Sequence, residues 1–300
     1  MQLDPVPDSP DRPGVRYRHT PGRFSLYAVP MSTLQNRIGI ITGASAGIGE
    51  ALAHDLARLG ARLVINARRE DKLSEIAAAY PEGQIKVVPG DAGDPALSKT
   101  LMQACEDAFS GKPNLVVVNA GRGLRGAVTD SNTDEWEEMI RTNILGASHL
   151  MREAAEVLTG QMTDPDANPE GFGQDWASLI DQDGPPRDIV VLGSSVGRHI
   201  SPFSSMYGST KFAINSLAEA LRRQMAKFGV RVTLIEPGVV RTEFQESAGY
   251  EMDGFGAFMD RVGPVLKPED ISRTIVFAIS QPPAVHINDI MIRPTRQEYP

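Results

Sequence analysis

The chain has almost no cysteine. Cys105 stands alone among 300 residues, so an internal disulfide, a Cys/His zinc pattern and a CxxC redox pair are all excluded, and a reducing cytoplasmic setting is expected. Positive charge is also short. Thirty Lys and Arg against 38 Asp and Glu leave a net charge of −8, which repels phosphate backbones and makes nucleic acid a poor partner. Long apolar runs are missing too. The longest, Ile38 to Thr42, Leu115 to Val118 and Ile189 to Leu192, fall far below the roughly 18 residues of a membrane span. The N-terminus carries an early acid and prolines in place of a basic start and an apolar run, so no secretory signal is expected.

What is present divides the chain into parts. Six prolines lie in residues 1–30 with no helical or alternating apolar period, which predicts a flexible arm. From residue 31 onward a single catalytic domain is expected. Beyond Arg37, short Ile- and Val-rich runs alternate with helix-like segments, which predicts a parallel sheet covered on both faces. The expected fold is α/β: a Rossmann-type doubly wound sheet of seven mainly parallel strands. The strands are placed at 39–42, 62–66, 86–88, 115–119, 188–193, 231–235 and 289–292. Residues 160–187 are rich in Gly, Pro and Asp, with six acids and no Lys or His before Arg187, and read as a surface insertion anchored by Trp176 and Ile180.

The first strand runs into Thr42-Gly43-Ala44-Ser45-Ala46-Gly47-Ile48-Gly49 and then into a helical pattern from Glu50. Glycines at a strand-to-helix turn let the backbone approach a pyrophosphate, whose charge meets free N–H groups and the helix dipole. The second strand ends in Asn66-Ala67-Arg68-Arg69. A carboxylate there would hold a ribose 2′-hydroxyl; Ala67 followed by two arginines suits a 2′-phosphate and favours NADP(H) over NAD(H). The plainer reading is that these arginines solubilise the next helix. Asp91 is placed to meet an adenine amino group, or to close a turn. Asn119, Ala120 and Gly121 end the fourth strand, where small residues leave room for the cofactor.

Tyr207 and Lys211 are four residues apart on a helical pattern reaching Phe228, which puts them on one face. A phenol near pKa 10 exchanges protons poorly at neutral pH, and a neighbouring ammonium favours its phenolate form. The same pair also occurs on ordinary helices. Ser194 and Ser195 close the fifth strand at the sheet edge where doubly wound folds bind ligands.

Taken in order, these motifs resemble the short-chain dehydrogenase/reductases: TGASAGIG, Asn119-Ala120-Gly121, Asn143-Ile144-Leu145-Gly146, the Ser194 segment, Tyr207-Gly208-Ser209-Thr210-Lys211, and Pro237-Gly238 followed by Thr242. The resemblance covers about Leu34 to Arg296, and Val118 departs from the family's frequent Asn. The Ser-x-x-Gly pattern, thirteen residues before the tyrosine, selects Ser194 over Ser195. The resemblance implies hydride exchange between a nicotinamide and a carbonyl or alcohol carbon of a small substrate. Tyr207 would act as acid or base, Lys211 would hold the ribose and lower the Tyr207 pKa, Ser194 would steady the substrate oxygen, and Asn143 would support a water-linked relay. The cofactor would lie along Gly43, Ser45, Gly47, Ile48, Gly49, Arg68, Arg69, Asp91, Asn119, Ala120, Gly121, Tyr207, Lys211, Pro237, Gly238, Val240 and Thr242, with no metal.

The C-terminal Ile292-Arg293-Pro294-Thr295 stretch is similar to NADP-dependent members acting on 3-hydroxy acids such as serine, and to clavaldehyde-type reductases. Phe244, Tyr250, Met252, Phe255 and Phe258 offer an apolar substrate cover, or simply a loop's own packing. Arg122, Arg125, Arg198 and His199 flank the expected active edge as candidates for a substrate carboxylate or as surface residues. Phe212, Ile214, Leu217 and Met225 exceed a simple apolar stripe, which burial against the helix's own sheet would also explain; the resemblance implies pairing through this helix into a homodimer or homotetramer, with the homotetramer expected. The alternative function is a catalytically silent NADP-binding sensor or scaffold, against which the joint presence of Tyr207, Lys211, Ser194 and Asn143 weighs.

Overall fold

Seven strands form one sheet in the order β3-β2-β1-β4-β5-β6-β7, with every neighbouring pair parallel. The computed structural model describes residues 34–160, 185–250 and 252–299, with backbone only at 252–255. The proline-rich arm, most of the acidic insertion with Trp176 and Ile180, and the Met252 and Phe255 side chains lie outside the described residues. The strands are β1 (Ile38–Thr42), β2 (Arg62–Ala67), β3 (Ile85–Pro89), β4 (Leu115–Val118), β5 (Arg187–Leu192), β6 (Val230–Pro237) and β7 (Asp289–Ile292). The helices are α1 (Gly47–Arg58), α2 (Glu70–Ala78), α3 (Leu97–Phe109), α4 (Trp136–Ile140), α5 (Ala147–Thr159), α6 (Ser205–Met225), α7 (Phe244–Ser247), α8 (Met252–Val262) and α9 (Pro268–Ile279).

The apolar runs are continuous because both sheet faces are covered, and the two-residue period of a strand sorts their side chains. Ile40, Val116, Val118, Ile189 and Val191 pack with α3, α5 and α6, whereas Ile41, Leu115, Val117 and Val190 pack with α1, α2 and α9. In α1, Leu52, Ala53, Leu56 and Ala57 supply the buried stripe. α9 opens with Pro268, whose fixed φ suits a first turn, and Asp270 Oδ2 accepts a hydrogen bond from the Lys267 N–H at 2.8 Å.

The strand order reverses direction between β1 and β4, which opens a crevice beyond the carboxyl ends of the strands. Three boundaries differ from the sequence expectation in a way that matters there. α1 begins at Gly47 and not at Glu50, so Gly47, Ile48 and Gly49 carry the unpaired N–H groups of its first turn. β4 and β5 end at Val118 and Leu192, which leaves Asn119 beyond its strand, while the Gly193 N–H still donates to Ile235 O of β6 at 2.8 Å. On α6, Ile214 and Met225 are buried against the sheet while Phe212 and Leu217 remain exposed. Among the described residues no helix is long and apolar enough to cross a membrane.

Candidate active site

A cleft of about 1500 Å³ lies over the carboxyl ends of β1, β2, β4, β5 and β6. Its floor starts at the turn after β1. Gly43 and Gly47 both adopt left-handed backbone, with φ of 67° and 59°, which side chains resist. A Cβ on Gly49 would stand 2.3 Å from the Gly43 carbonyl oxygen, so the turn closes only because that position is bare. Asn119 ties this turn from the neighbouring strand: its Nδ2 donates to Thr42 O at 2.8 Å and Gly43 O at 3.2 Å, while the Asn119 and Ala120 N–H groups donate to Thr42 Oγ1. The Asn119 side chain is therefore committed to holding the turn's shape. Gly43, Ser45, Gly47 and Ile48 line the cleft, with the open first turn of α1 directed at it. This cradle of bare backbone and unpaired N–H groups fits a pyrophosphate.

Arg68, Arg69 and Asp91 line the same end of the cleft. Arg69 donates from Nε to Ser45 Oγ at 3.3 Å, from Nη2 to Ser45 O at 3.1 Å and from Nη1 to Glu243 at 2.9 Å. Arg68 is 72% exposed and sits 3.6 Å from Glu138. Asp91 accepts from the Gly93 N–H at 2.9 Å and from Arg141 at 2.7 Å. The Gly93 N–H, followed by the charge and hydrogen bond of Arg141, holds its carboxyl below the usual range. Thus the turn-closing role foreseen for Asp91 is present, on a residue that also faces the cleft.

At the other end, Ser194, Tyr207 and Lys211 line the cleft together with Gly121, Pro237 and Gly238. Ser194 sits in extended backbone as the cap of a short 3₁₀ turn, Ser195–Gly197, and its Oγ accepts from the Val196 N–H. Tyr207 lies in the first turn of α6 with its ring 5.4 Å from that of Phe244. Burial pushes the Tyr207 phenol above its ordinary pKa; the hydrogen bond with Ser194 opposes this and Tyr250 adds to it. Lys211 is only 7% exposed. Its Nζ donates to Leu192 O at 2.7 Å and stands 5.9 Å from the Tyr207 ring centroid. Burial pushes this ammonium down to about 8.

The phenol stands above its ordinary pKa because burial outweighs the Ser194 hydrogen bond. The ammonium lies over the ring and is held by a backbone carbonyl.

Asn143 falls in a wide π-type segment, Arg141–Gly146, between α4 and α5, where the extra residue per turn redirects a side chain. Its Oδ1 accepts from the Arg122 N–H at 2.8 Å, and its Nδ2 donates to Arg122 O and Thr210 Oγ1 at 2.9 and 3.0 Å. The side chain thus fixes the strand-β4 exit against α6.

Val240 and Thr242 follow β6 along the cleft. Thr242 Oγ1 accepts from the Phe244 N–H, which starts α7 over the site. Phe244, Tyr250 and Phe258 line the cleft, as does Phe203, at 77% the most exposed large apolar side chain described. Of the cationic candidates, Arg122 lines the cleft and Arg198 does not, and each holds two carboxylates. Arg122 pairs with Glu135 and Glu138, and Arg198 with Glu236 and Asp289. Arg125 lines the cleft; exposed His199 does not.

Three participants escaped the sequence reading. Gln297 in the C-terminal segment accepts from the Val239 N–H at 2.9 Å and lies where a Gly238 Cβ would be, at 2.4 Å. Glu243 reaches Arg69. Asn215, one turn beyond Lys211, donates to the buried Glu236 at 2.6 Å and fills the space left by Gly193 and Gly197. Each acts through a partner distant in sequence, which no local spacing reveals.

The family model described as short chain dehydrogenase matches residues 37–163 and 177–253. The chain belongs to the short-chain dehydrogenase family, and it is an oxidoreductase of that family. An uncharacterized oxidoreductase of Staphylococcus aureus strain N315 is 31% identical over 264 residues, covering 88% of this chain and 100% of that protein. An alcohol dehydrogenase from the archaeon Thermococcus sibiricus, solved with 5-hydroxy-NADP, superposes with a TM-score of 0.68 at 25% identity over 87% of this chain and 98% of its own. The closed form of a serine dehydrogenase with NADP+ gives a TM-score of 0.69 at 25% identity over 87% and 96%.

Proposed function

We propose that this oxidoreductase moves a hydride between NADP(H) and a carbonyl or alcohol carbon of a small substrate, with Tyr207 exchanging the proton. The observation that carries the reading is the convergence of Ser194, Tyr207 and Lys211 in one cleft with the glycine turn of residues 43–49. When bound, the nicotinamide supplies or accepts the hydride. Gly43, Ser45, Gly47, Ile48 and Gly49 form the phosphate cradle, Arg68 and Arg69 meet a 2′-phosphate, and Asp91 meets the adenine. Asn119, Ala120, Gly121, Pro237, Gly238, Val240 and Thr242 shape the remaining walls.

In the reducing direction the Ser194 hydroxyl donates to the substrate oxygen and holds it against the Tyr207 phenol. Tyr207 gives its proton to that oxygen as charge develops there; in oxidation it takes the proton back. A phenol held above its usual pKa keeps its proton until substrate arrives, which suits the acid role. Lys211, at about 8, is partly neutral at mildly alkaline pH, so it can return a proton toward Tyr207 while also meeting the nicotinamide ribose. Asn143 supports that return by fixing Arg122 and Thr210 around Lys211.

The aromatic walls at Phe203, Phe244, Tyr250 and Phe258 admit an apolar body, and Arg125 lines the same cleft. Together with the likeness to a serine dehydrogenase, these features support a 3-hydroxy acid or the matching aldehyde as substrate. The exposed Phe212 and Leu217 support pairing of chains through α6.

Tyr207→Phe tests the chemistry. The variant is expected to bind NADP+ as the parent does while turnover falls about 10²- to 10⁴-fold, the range of a lost general acid. Binding is read by calorimetry and turnover by NADPH absorbance on a panel of 3-hydroxy acids and small aldehydes. Undiminished turnover removes Tyr207 from the mechanism.

A further inference from the structure

We propose that Glu243 is a competitor for the cofactor's 2′-phosphate, built into the chain, that lowers its discrimination between NADP and NAD by holding Arg69; the inference rests on the NADP reading above. Ala67 leaves the end of β2 without the carboxylate that would favour a free ribose hydroxyl. The fold brings one from 174 residues away in sequence. Glu243 follows β6, and its Oε2 accepts from Arg69 Nη1 at 2.9 Å while Ser45 takes the Nε and Nη2 donors of the same guanidinium. All three nitrogens of Arg69 are thereby engaged. A 2′-phosphate, which is gripped by paired guanidinium donors, has to displace at least one of these partners. Ser45 is neutral and can share its contact with the phosphate; Glu243 is an anion and cannot.

The backbone that carries Glu243 is held in place beside the glycine turn. Thr242 is fixed by its N–H donating to Gln245 Oε1 at 3.2 Å, and Gln245 Nε2 in turn donates to Val240 O at 2.8 Å. Thr242 lies over the glycine turn, its Cγ2 3.0 Å from where a Gly47 Cβ would be. The backbone bearing Glu243 is therefore seated on the phosphate cradle itself. Arg68 shows the looser version of the same arrangement, 3.6 Å from a Glu138 that Arg122 also claims. Glu243 is 65% exposed on its side chain, so it can swing into water when displaced. That makes it a modest competitor and not a block.

The test measures affinities of the full chain for NADP+, NAD+ and 2′,5′-ADP by calorimetry, in the parent, Glu243→Gln, Arg69→Gln and the double variant. Glu243→Gln is expected to tighten NADP+ and 2′,5′-ADP by about two- to fivefold, the scale of an exposed ion pair, without tightening NAD+. In the Arg69→Gln background the same change is expected to have no effect on any of the three. Unchanged NADP+ affinity in Glu243→Gln overturns the proposal, as does a gain that persists without Arg69, which would be a general charge effect. If the parent binds NADP+ no better than NAD+ and Arg69→Gln alters neither, the NADP reading itself fails. A parent that prefers NADP+ with an inert Glu243 refutes only the competitor.

Discussion

Lys211→Met is expected to make the free protein more stable at neutral pH while abolishing turnover. Lys211 is 7% exposed, and burial pushes its ammonium from 10.5 down to about 8. At about 1.36 kcal/mol for each tenfold change in proton affinity, this drop means the charged lysine costs the folded state about 3 kcal/mol. Below pH 8 the lysine is protonated in folded and unfolded chains alike, so the full cost is present at pH 7. Between about 8 and 10.5 only the unfolded chain keeps the proton, so stability rises with pH across that window. Methionine carries no charge and matches the length of the stem. It also gives up the 2.7 Å hydrogen bond to Leu192 O, worth about 1 kcal/mol. The net expectation is a gain of about 2 kcal/mol at pH 7 that vanishes by pH 10. Urea denaturation of parent and variant, followed by circular dichroism at both pH values, reads the difference directly, because every other titrating group is shared. A variant less stable than the parent at pH 7, or a difference that does not change with pH, refutes the assignment of a strained ammonium.

Two further outcomes follow from packing. Asp188 accepts from Arg37 and, at 2.7 and 2.8 Å, from Arg231, with all three side chains at most 5% exposed. Asp188→Ala strands two buried guanidinium groups and should lower unfolding free energy by about 3–5 kcal/mol; a loss under about 1 kcal/mol by urea titration contradicts the buried cluster. Gly49→Ala drives a Cβ to within 2.3 Å of the Gly43 carbonyl and 2.6 Å of Asn119 Nδ2. Because the first of these is backbone, the turn must open, and NADP+ affinity should fall at least about tenfold with a stability loss of about 1–3 kcal/mol; parent-like affinity by calorimetry refutes the tight-turn account.

The parallel sheet and the place of the cleft were legible because both depend on signals local in sequence. Ile38 to Thr42 followed at once by a glycine turn and a helical stripe announces a strand, a phosphate cradle and a crossover within about twenty residues. Tyr207 and Lys211 were legible for the same reason, as neighbours on one helix face. The electrostatics were not. Spacing puts Lys211 beside Tyr207, but it does not show that β5 delivers Leu192 O to the ammonium from 19 residues upstream, or that burial pushes the phenol up. Arg69 shows the limit more sharply. Arg69 meets Glu243, 174 residues away, because the segment after β6 crosses the crevice to the turn after β1, where Thr242 lies against Gly47. A doubly wound sheet collects the carboxyl ends of all its strands on one edge, so its catalytic residues advertise themselves within each segment, while the charges that tune them are supplied by other strands. The end of β2 alone therefore does not reveal that Arg69 already holds an anion supplied by the facing segment.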